Sequence, residues 1–312
     1  MTSQSSHTSY GDTKLYIAVF IKQKNNKKSE HIARVCVCAR EASMPYLEVR
    51  GHQLHYTDQQ PKNPPKKGPL TFIFIPGLGA SENFFLPVLP HISDNHRCIT
   101  FDTYGTSRSL FTGDVTSIES IAIDVLGILD TLHVEKAVVV GHSMGGIVAN
   151  YLGAKHKNRV RGIVGIGPTH PTEAFGVNMK KRIDVVSKSG MEPIADTVPN
   201  QATGPNTTPL QKAFLREMFI SQNPRGYAAL CQAIVAAPFI DYKAITAPYL
   251  LIVGDQDKSA TQENCDMIFD NIASSSKKME ILPGIGHWYC VEDDYAVGRM
   301  LWAFAGLLEA GD

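Results

Sequence analysis

The chain has 312 residues, 43% hydrophobic and 19% charged, with 30 Lys plus Arg balanced by 30 Asp plus Glu. That composition suits a globular chain, long enough for one large α/β domain or two smaller ones, and excludes a disorder-dominated protein. Zero net charge argues against an affinity built on phosphate neutralisation, and no apolar window approaches about 18 residues, so neither a nucleic-acid partner nor a membrane span is expected.

The first ten residues, MTSQSSHTSY, lack the apolar core of a secretory signal. Residues 1–43 hold two short apolar runs around a basic patch at 22–28, and they are expected to form a poorly ordered N-terminal extension. Asp12, Glu30 and Glu41 fit badly with an acid-poor transit peptide, so a cytoplasmic location is favoured over organellar targeting. Met44-Pro45-Tyr46 looks like a fresh beginning, and the working domain is expected to span 44–312. The six cysteines (36, 38, 98, 231, 265 and 290) are dilute and read as reduced thiols. Cys36-x-Cys38 is too tight for the usual zinc pair, and no metal is expected.

From Tyr46 the pattern is regular. Tyr46 to Arg50 and Gln53 to Thr57 alternate around Gly51 as a hairpin would. Leu70 to Ile75 is a continuous apolar run, as expected of a strand buried on both faces. Cys98 to Phe101, Ala137 to Val140, Val160 to Ile166, Tyr249 to Val253 and Lys278 to Leu282 repeat that pattern. Between them Ile118 to Leu132 and Ile147 to Lys155 have helical character, and Tyr295 to Leu308 closes the chain as a helix. Strands alternating with helices imply a mostly parallel central sheet flanked by helices. Between Pro168 and Ala247 this rhythm breaks. Helical stretches near 178–189, 208–221 and 225–236, with a turn-rich break at 203–209, predict a helical lid over about 169–245, inserted between core strands.

The sharpest motif is Gly141-His142-Ser143-Met144-Gly145, after the strand AVVV and before a helix. In such an elbow the serine sits on a strained turn, and small flanking residues let the backbone pass close to its neighbours. An alcohol needs a base, and Ile281-Leu282-Pro283-Gly284-Ile285-Gly286 presents His287 after the last strand. His142 is expected to point away from the serine, and His170 comes too early in the chain. The histidine needs an acid, for which Gly254-Asp255-Gln256-Asp257 offers two. Asp257 stands further out in the loop and is the first choice, with Asp255 bracing the turn. Pro76-Gly77-Leu78-Gly79 follows a strand where an oxyanion hole needs it, so the Leu78 N–H is paired with that of Met144. Asp102 is expected to organise its own loop. Phe175, Phe214, Phe219, Phe239 and Trp288 are candidates for a substrate pocket.

FIFIPGLGAS, FDTYGTSRS, VVVGHSMGG, LLIVGDQD and LPGIGHW together resemble the α/β-hydrolase superfamily, and the resemblance runs from Met44 onward. SGMEPIADTV, NPRGYAALCQAI and ITAPYLLIVGDQD are similar to its 3-oxoadipate enol-lactonase-like branch. Pro76-Gly77 stands where that family usually has His-Gly. Pro199-Asn200-Gln201-Ala202 replaces its Arg-Trp-Phe, and Glu292-Asp293-Asp294 replaces its Glu-x-Pro. The resemblance implies a cofactor-free serine hydrolase of a small-molecule ester or lactone, acting as a monomer or homodimer. A C–C bond hydrolase or perhydrolase with the same triad, or a slow-turnover ligand receptor of this fold, are the alternatives.

Overall fold

The computed structural model describes residues 45–311. The expectations for 1–43, for Cys36 and Cys38, and for a start at Met44 lie outside them.

A hairpin opens the domain. β1 (Tyr46–Val49) and β2 (His52–Gln59) pair antiparallel across a turn in which both Arg50 and Gly51 have positive φ. β3 (Thr71–Ile75) and β4 (Arg97–Phe101) follow, then helix α1 (Ile118–Thr131), β5 (Ala137–His142), α2 (Met144–Lys155) and β6 (Val160–Ile166). Four helices come next: α3 (Glu173–Ser189), α4 (Glu192–Gln201), α5 (Pro209–Ile220) and α6 (Pro224–Val235). The core resumes with β7 (Tyr249–Gly254), α7 (Gln262–Asn271) and β8 (Lys277–Leu282), and ends in the short α8 (Tyr289–Glu292) and the long α9 (Asp294–Ala310).

The eight strands form one sheet in the order β1-β2-β4-β3-β5-β6-β7-β8. β1, β2 and β4 pair antiparallel, and every later neighbour pair is parallel. The central strands explain why. β3 is TFIFI and β5 is AVVVGH, both buried along nearly their whole length, so helices must cover both faces. The edge strand β8 (KKMEIL) is only partly buried and carries charges, which discourages pairing with other chains. β3 lies between β4 and β5, so successive connections leave it in opposite directions. Such a switch point opens a crevice beyond the carboxyl ends of the strands.

Local signals fix the helices. Ser117 caps α1 through a reciprocal pair with Ser120, and Ile121, Val125, Ile128 and Leu129 form its buried stripe. Thr208 and Gln211 make the same reciprocal cap on α5, and Asn223 caps α6. The structure also contains three helices beyond those expected: α4, α7 and the short α8. α4 carries Pro193 in its first turn and Pro199 in its last, which disguise it as a break. α7 is short and buries only Cys265 and Ile268. Cys98, Cys231, Cys265 and Cys290 are all buried thiols. Among the described residues no helix is long and apolar enough to cross a membrane.

Candidate active site

Ser143 lies between β5 and α2 with φ 53° and ψ −115°, in the left-handed region that costs a side-chain-bearing residue free energy. Its neighbours show what enforces this. A Cβ on Gly141 would stand 2.2 Å from the Gly145 carbonyl oxygen, and one on Gly145 would stand 2.1 Å from that of Ile75. The turn is therefore pressed against β3, and only glycine fits on either side. Ser143 N–H donates to the Ile166 carbonyl at 3.1 Å, tying the turn to β6.

The sheet brings three distant loops to this point. Ser143 Oγ lies 2.8 Å from His287 Nε2, and His287 Nδ1 lies 2.7 Å from Asp257 Oδ2. Ser143 follows β5, Asp257 follows β7 and His287 follows β8, all at carboxyl ends of parallel strands. Ser143, Asp257 and His287 are each 7% exposed, so bulk water scarcely competes with these bonds. Asp257 accepts on both oxygens. Oδ1 takes the N–H groups of Ser259 (2.7 Å) and Ala260 (2.9 Å), while Oδ2 takes His287 and the Tyr289 hydroxyl (2.8 Å). Burial alone would raise the pKa of this carboxyl. The His287 ring and these donors outweigh burial and hold it below its ordinary value. As a carboxylate, Asp257 accepts the Nδ1 proton, which leaves Nε2 free to accept from Ser143 Oγ–H. Asp255 instead accepts from Gly284 N–H at 2.7 Å, bracing the loop that bears His287.

Leu78 and Met144 flank the serine. Met144 is the first residue of α2, so its N–H has no intrahelical acceptor, and it sits at the positive end of the helix dipole. Leu78 lies in the turn after β3, next to β5 in the sheet. A Cβ on the preceding Gly77 would approach Ser143 Cβ to 2.9 Å, so this turn packs against the elbow itself.

His142 differs from expectation. Its ring does not point away but lies 5.0 Å from that of His287, and its Nε2–H donates to the His287 carbonyl at 2.8 Å. Burial, reinforced by the neighbouring His287, pushes its pKa down to about 3, so it stays neutral near pH 7. Asp102 organises its own loop, accepting from Glu82 N–H (2.8 Å) and from Arg108 Nε–H (2.9 Å). His170 is occupied by the Tyr242 hydroxyl at 2.9 Å.

A cavity of about 30 Å3 touches Ser143 and His287. Phe175 and Trp288 line it, as do Leu78, Met179, Val198 and Arg182. Three of the expected pocket residues do not line it. Phe239 is 87% exposed, because it follows α6 in an open turn. Phe214, on α5, packs partly buried against the core and is not among the cavity's lining residues. Phe219 is buried deeper, ring to ring with Trp288 at 5.3 Å. Arg182 was not foreseen. Its Nη1–H donates to the Tyr227 hydroxyl at 3.1 Å, and no carboxylate pairs with it among the described residues. Size alone would point elsewhere. A groove of about 710 Å3 between β8 and α9 touches none of Ser143, Asp257 and His287.

Comparison with known proteins agrees with this architecture. The family profile described as "alpha/beta hydrolase fold" matches residues 71–203. The 3-oxoadipate enol-lactonase 1 of Acinetobacter baylyi is 29% identical over 229 residues, 67% of this chain and 82% of that one. A RutD protein of Stutzerimonas stutzeri, for which carbamate hydrolysis has been proposed, is 31% identical over 118 residues. That match spans 35% of this chain and less than half, 44%, of the relative. The solved enol-lactonase of Burkholderia xenovorans LB400 is 26% identical with a TM-score of 0.74, covering 83% of this chain and 99% of its own. The chain is an α/β-hydrolase-fold protein, enol-lactonase-like in its relatives.

Proposed function

We propose that this α/β-hydrolase cleaves a carboxylic ester or lactone of a small molecule through an acyl-enzyme. The observation that carries the reading is the unbroken relay from Ser143 Oγ to His287 (2.8 Å) and on to Asp257 (2.7 Å). His287 takes the serine proton as Oγ attacks the carbonyl carbon, and Asp257 stabilises the imidazolium that forms. The negative charge developing on the carbonyl oxygen is met by the N–H groups of Leu78 and Met144. His287 then returns the proton to the leaving alcohol, which in a lactone stays attached as the other end of the same chain. Water, deprotonated by His287, attacks the acyl-enzyme and releases the acid. No cofactor enters any of these steps.

The helices α3 to α6 serve as the lid in this reading. A cavity of about 30 Å3 holds only about two water molecules, so a substrate enters by displacing part of that cover. Arg182 adds a preference. A guanidinium that bonds the Tyr227 hydroxyl but has no carboxylate partner among the described residues favours a substrate that carries its own negative charge away from the scissile bond. The enol-lactonase relatives support the lactone option within this class.

The test is Ser143→Ala, assayed with an activated ester and with a fluorophosphonate probe. Turnover and labelling are expected to vanish together, and undiminished labelling of the variant sinks the triad. Product analysis on a panel of lactones, esters and vinylogous diketones separates ester hydrolysis from C–C cleavage by the same residues.

A further inference from the structure

The residues on either side of His287 are held by Glu292, and His287 itself by the helical insertion. Gly286 N–H donates to Glu292 Oε2 at 3.0 Å, and Trp288 N–H donates to Glu292 Oε1 at 2.8 Å. Between them, His287 N–H donates to the Ala202 carbonyl at 2.7 Å. Glu292 Oε2 also accepts from Gly204 N–H at 2.7 Å, with the Thr207 hydroxyl 3.1 Å away. Ala202, Gly204 and Thr207 all belong to the segment between α4 and α5. One carboxylate on α8 thus binds that segment to the loop that presents the histidine. The approach is close enough to exclude side chains. A Cβ on Gly204 would stand 2.0 Å from the Gly284 carbonyl oxygen, and one on Gly286 would stand 2.6 Å from that of Ala202.

We infer that Glu292 is a positioning residue for the base: it fastens the 202–207 segment of the insertion to the His287 backbone and so sets where the imidazole stands. The proposal rests on the reading of His287 as the general base. Three consecutive N–H groups, those of Gly286, His287 and Trp288, are all committed across this seam. Backbone N–H groups buried without an acceptor are costly, so the loop has little freedom while the seam is intact. The insertion is therefore part of the frame that aligns Ser143 and His287, as well as a cover over them. α3, which makes none of these bonds, carries Phe175, Met179 and Arg182 to the cavity.

The experiment uses the full chain with Glu292→Ala and Glu292→Gln. It measures the second-order rate of fluorophosphonate labelling, kcat and KM on p-nitrophenyl acetate, and far-UV circular dichroism at the assay temperature. With the circular dichroism unchanged, E292A is expected to lower both the labelling rate and kcat by at least about 10-fold while KM moves less than about 3-fold. E292Q keeps one acceptor oxygen and is expected to recover part of that loss. Wild-type labelling by folded E292A, or a loss confined to KM, overturns the proposal. Should E292A fail to fold, E292Q decides alone, since wild-type labelling by it has the same consequence. Ser143→Ala separates the two readings. Labelling that survives S143A removes the serine mechanism, whereas a silent S143A beside a fully active E292A removes only the fastening role.

Discussion

The serine and the histidine are held by opposite means. Ser143 is fixed by apolar packing and backbone contact: Gly145 against Ile75, Gly77 against the elbow, and β5 buried between β3 and β6. His287 is fixed by polar bonds that reach out of the sheet to Glu292 and to the insertion. The first arrangement is set by the core and has no alternative packing. The second depends on a loop that belongs to the cover. Under the proposed mechanism this is a division of labour, in which the sheet would set the nucleophile and the insertion the access to it and the alignment of the base.

That division can be broken by substitution. The largest effect is expected from Asp257→Asn, which keeps the shape but loses the tautomer and imidazolium support. kcat/KM on an activated ester should fall about 10^4-fold with little change in KM. A fall below about 10-fold would show that Asp257 is outside the relay. Gly145→Ala comes next. Its Cβ would lie 2.1 Å from a backbone oxygen, and urea unfolding should show a loss of about 3 kcal/mol or more, or no soluble protein.

On the insertion side, Arg182→Met should raise KM for carboxylate-bearing esters by about 10- to 100-fold and leave neutral esters within about 3-fold. Equal effects on both would remove Arg182 from recognition. A change of pH probes the buried face of the histidine. His142 has a folded pKa of about 3 against an ordinary 6.5, so unfolding takes up a proton between those values. Its contribution to stability is complete above pH 6.5 and is lost as pH falls toward 3. The lowered pKa of Asp257 acts in the same direction. At pH 4.5 the His142 part amounts to about 2–3 kcal/mol, so His142→Gln should flatten the acid limb of a urea-stability profile. An unchanged slope would contradict this account. The smallest effect sharpens the comparison from the other side. Gly176, in α3, has open space where its Cβ would go, and Gly176→Ala should stabilise by about 0.5–1 kcal/mol in the same urea assay.

The elements that make this site differ in how openly the chain announces them. TFIFI and AVVV could be read as buried strands because parallel strands need apolar residues on both faces. The glycines around Ser143 could be read because a strained turn tolerates little else. Asp257 needed chain order and resemblance as well, since Asp255 has the same side chain one turn away. Phe239 was misplaced because aromatic character says nothing about which way an open turn points. Arg182 and Tyr289 gave no sequence signal of their own. Their roles and that of Glu292 come from long-range contacts: Arg182 with Tyr227, Tyr289 with Asp257 and Gly254, and Glu292 with Gly204 and Thr207. Glu292 did stand out as the retained glutamate of the family's Glu-x-Pro, although nothing in the sequence said what it holds. α4 was hidden by two prolines, Pro193 in the first turn, where a helix accepts it, and Pro199 inside the helix.

The buried cysteines have a practical consequence. Burial pushes the thiols of Cys98, Cys231 and Cys265 up to about 12, and that of Cys290 well above its ordinary value. None of the four is a thiolate near neutral pH, and none offers its sulfur to a reagent in solution. An alkylating reagent mixed with the folded protein is therefore not expected to modify any of these four. Under the serine reading, a fluorophosphonate is left with Ser143. Intact-mass spectrometry of a fluorophosphonate-treated sample would then count competent active sites without interference from these buried thiols.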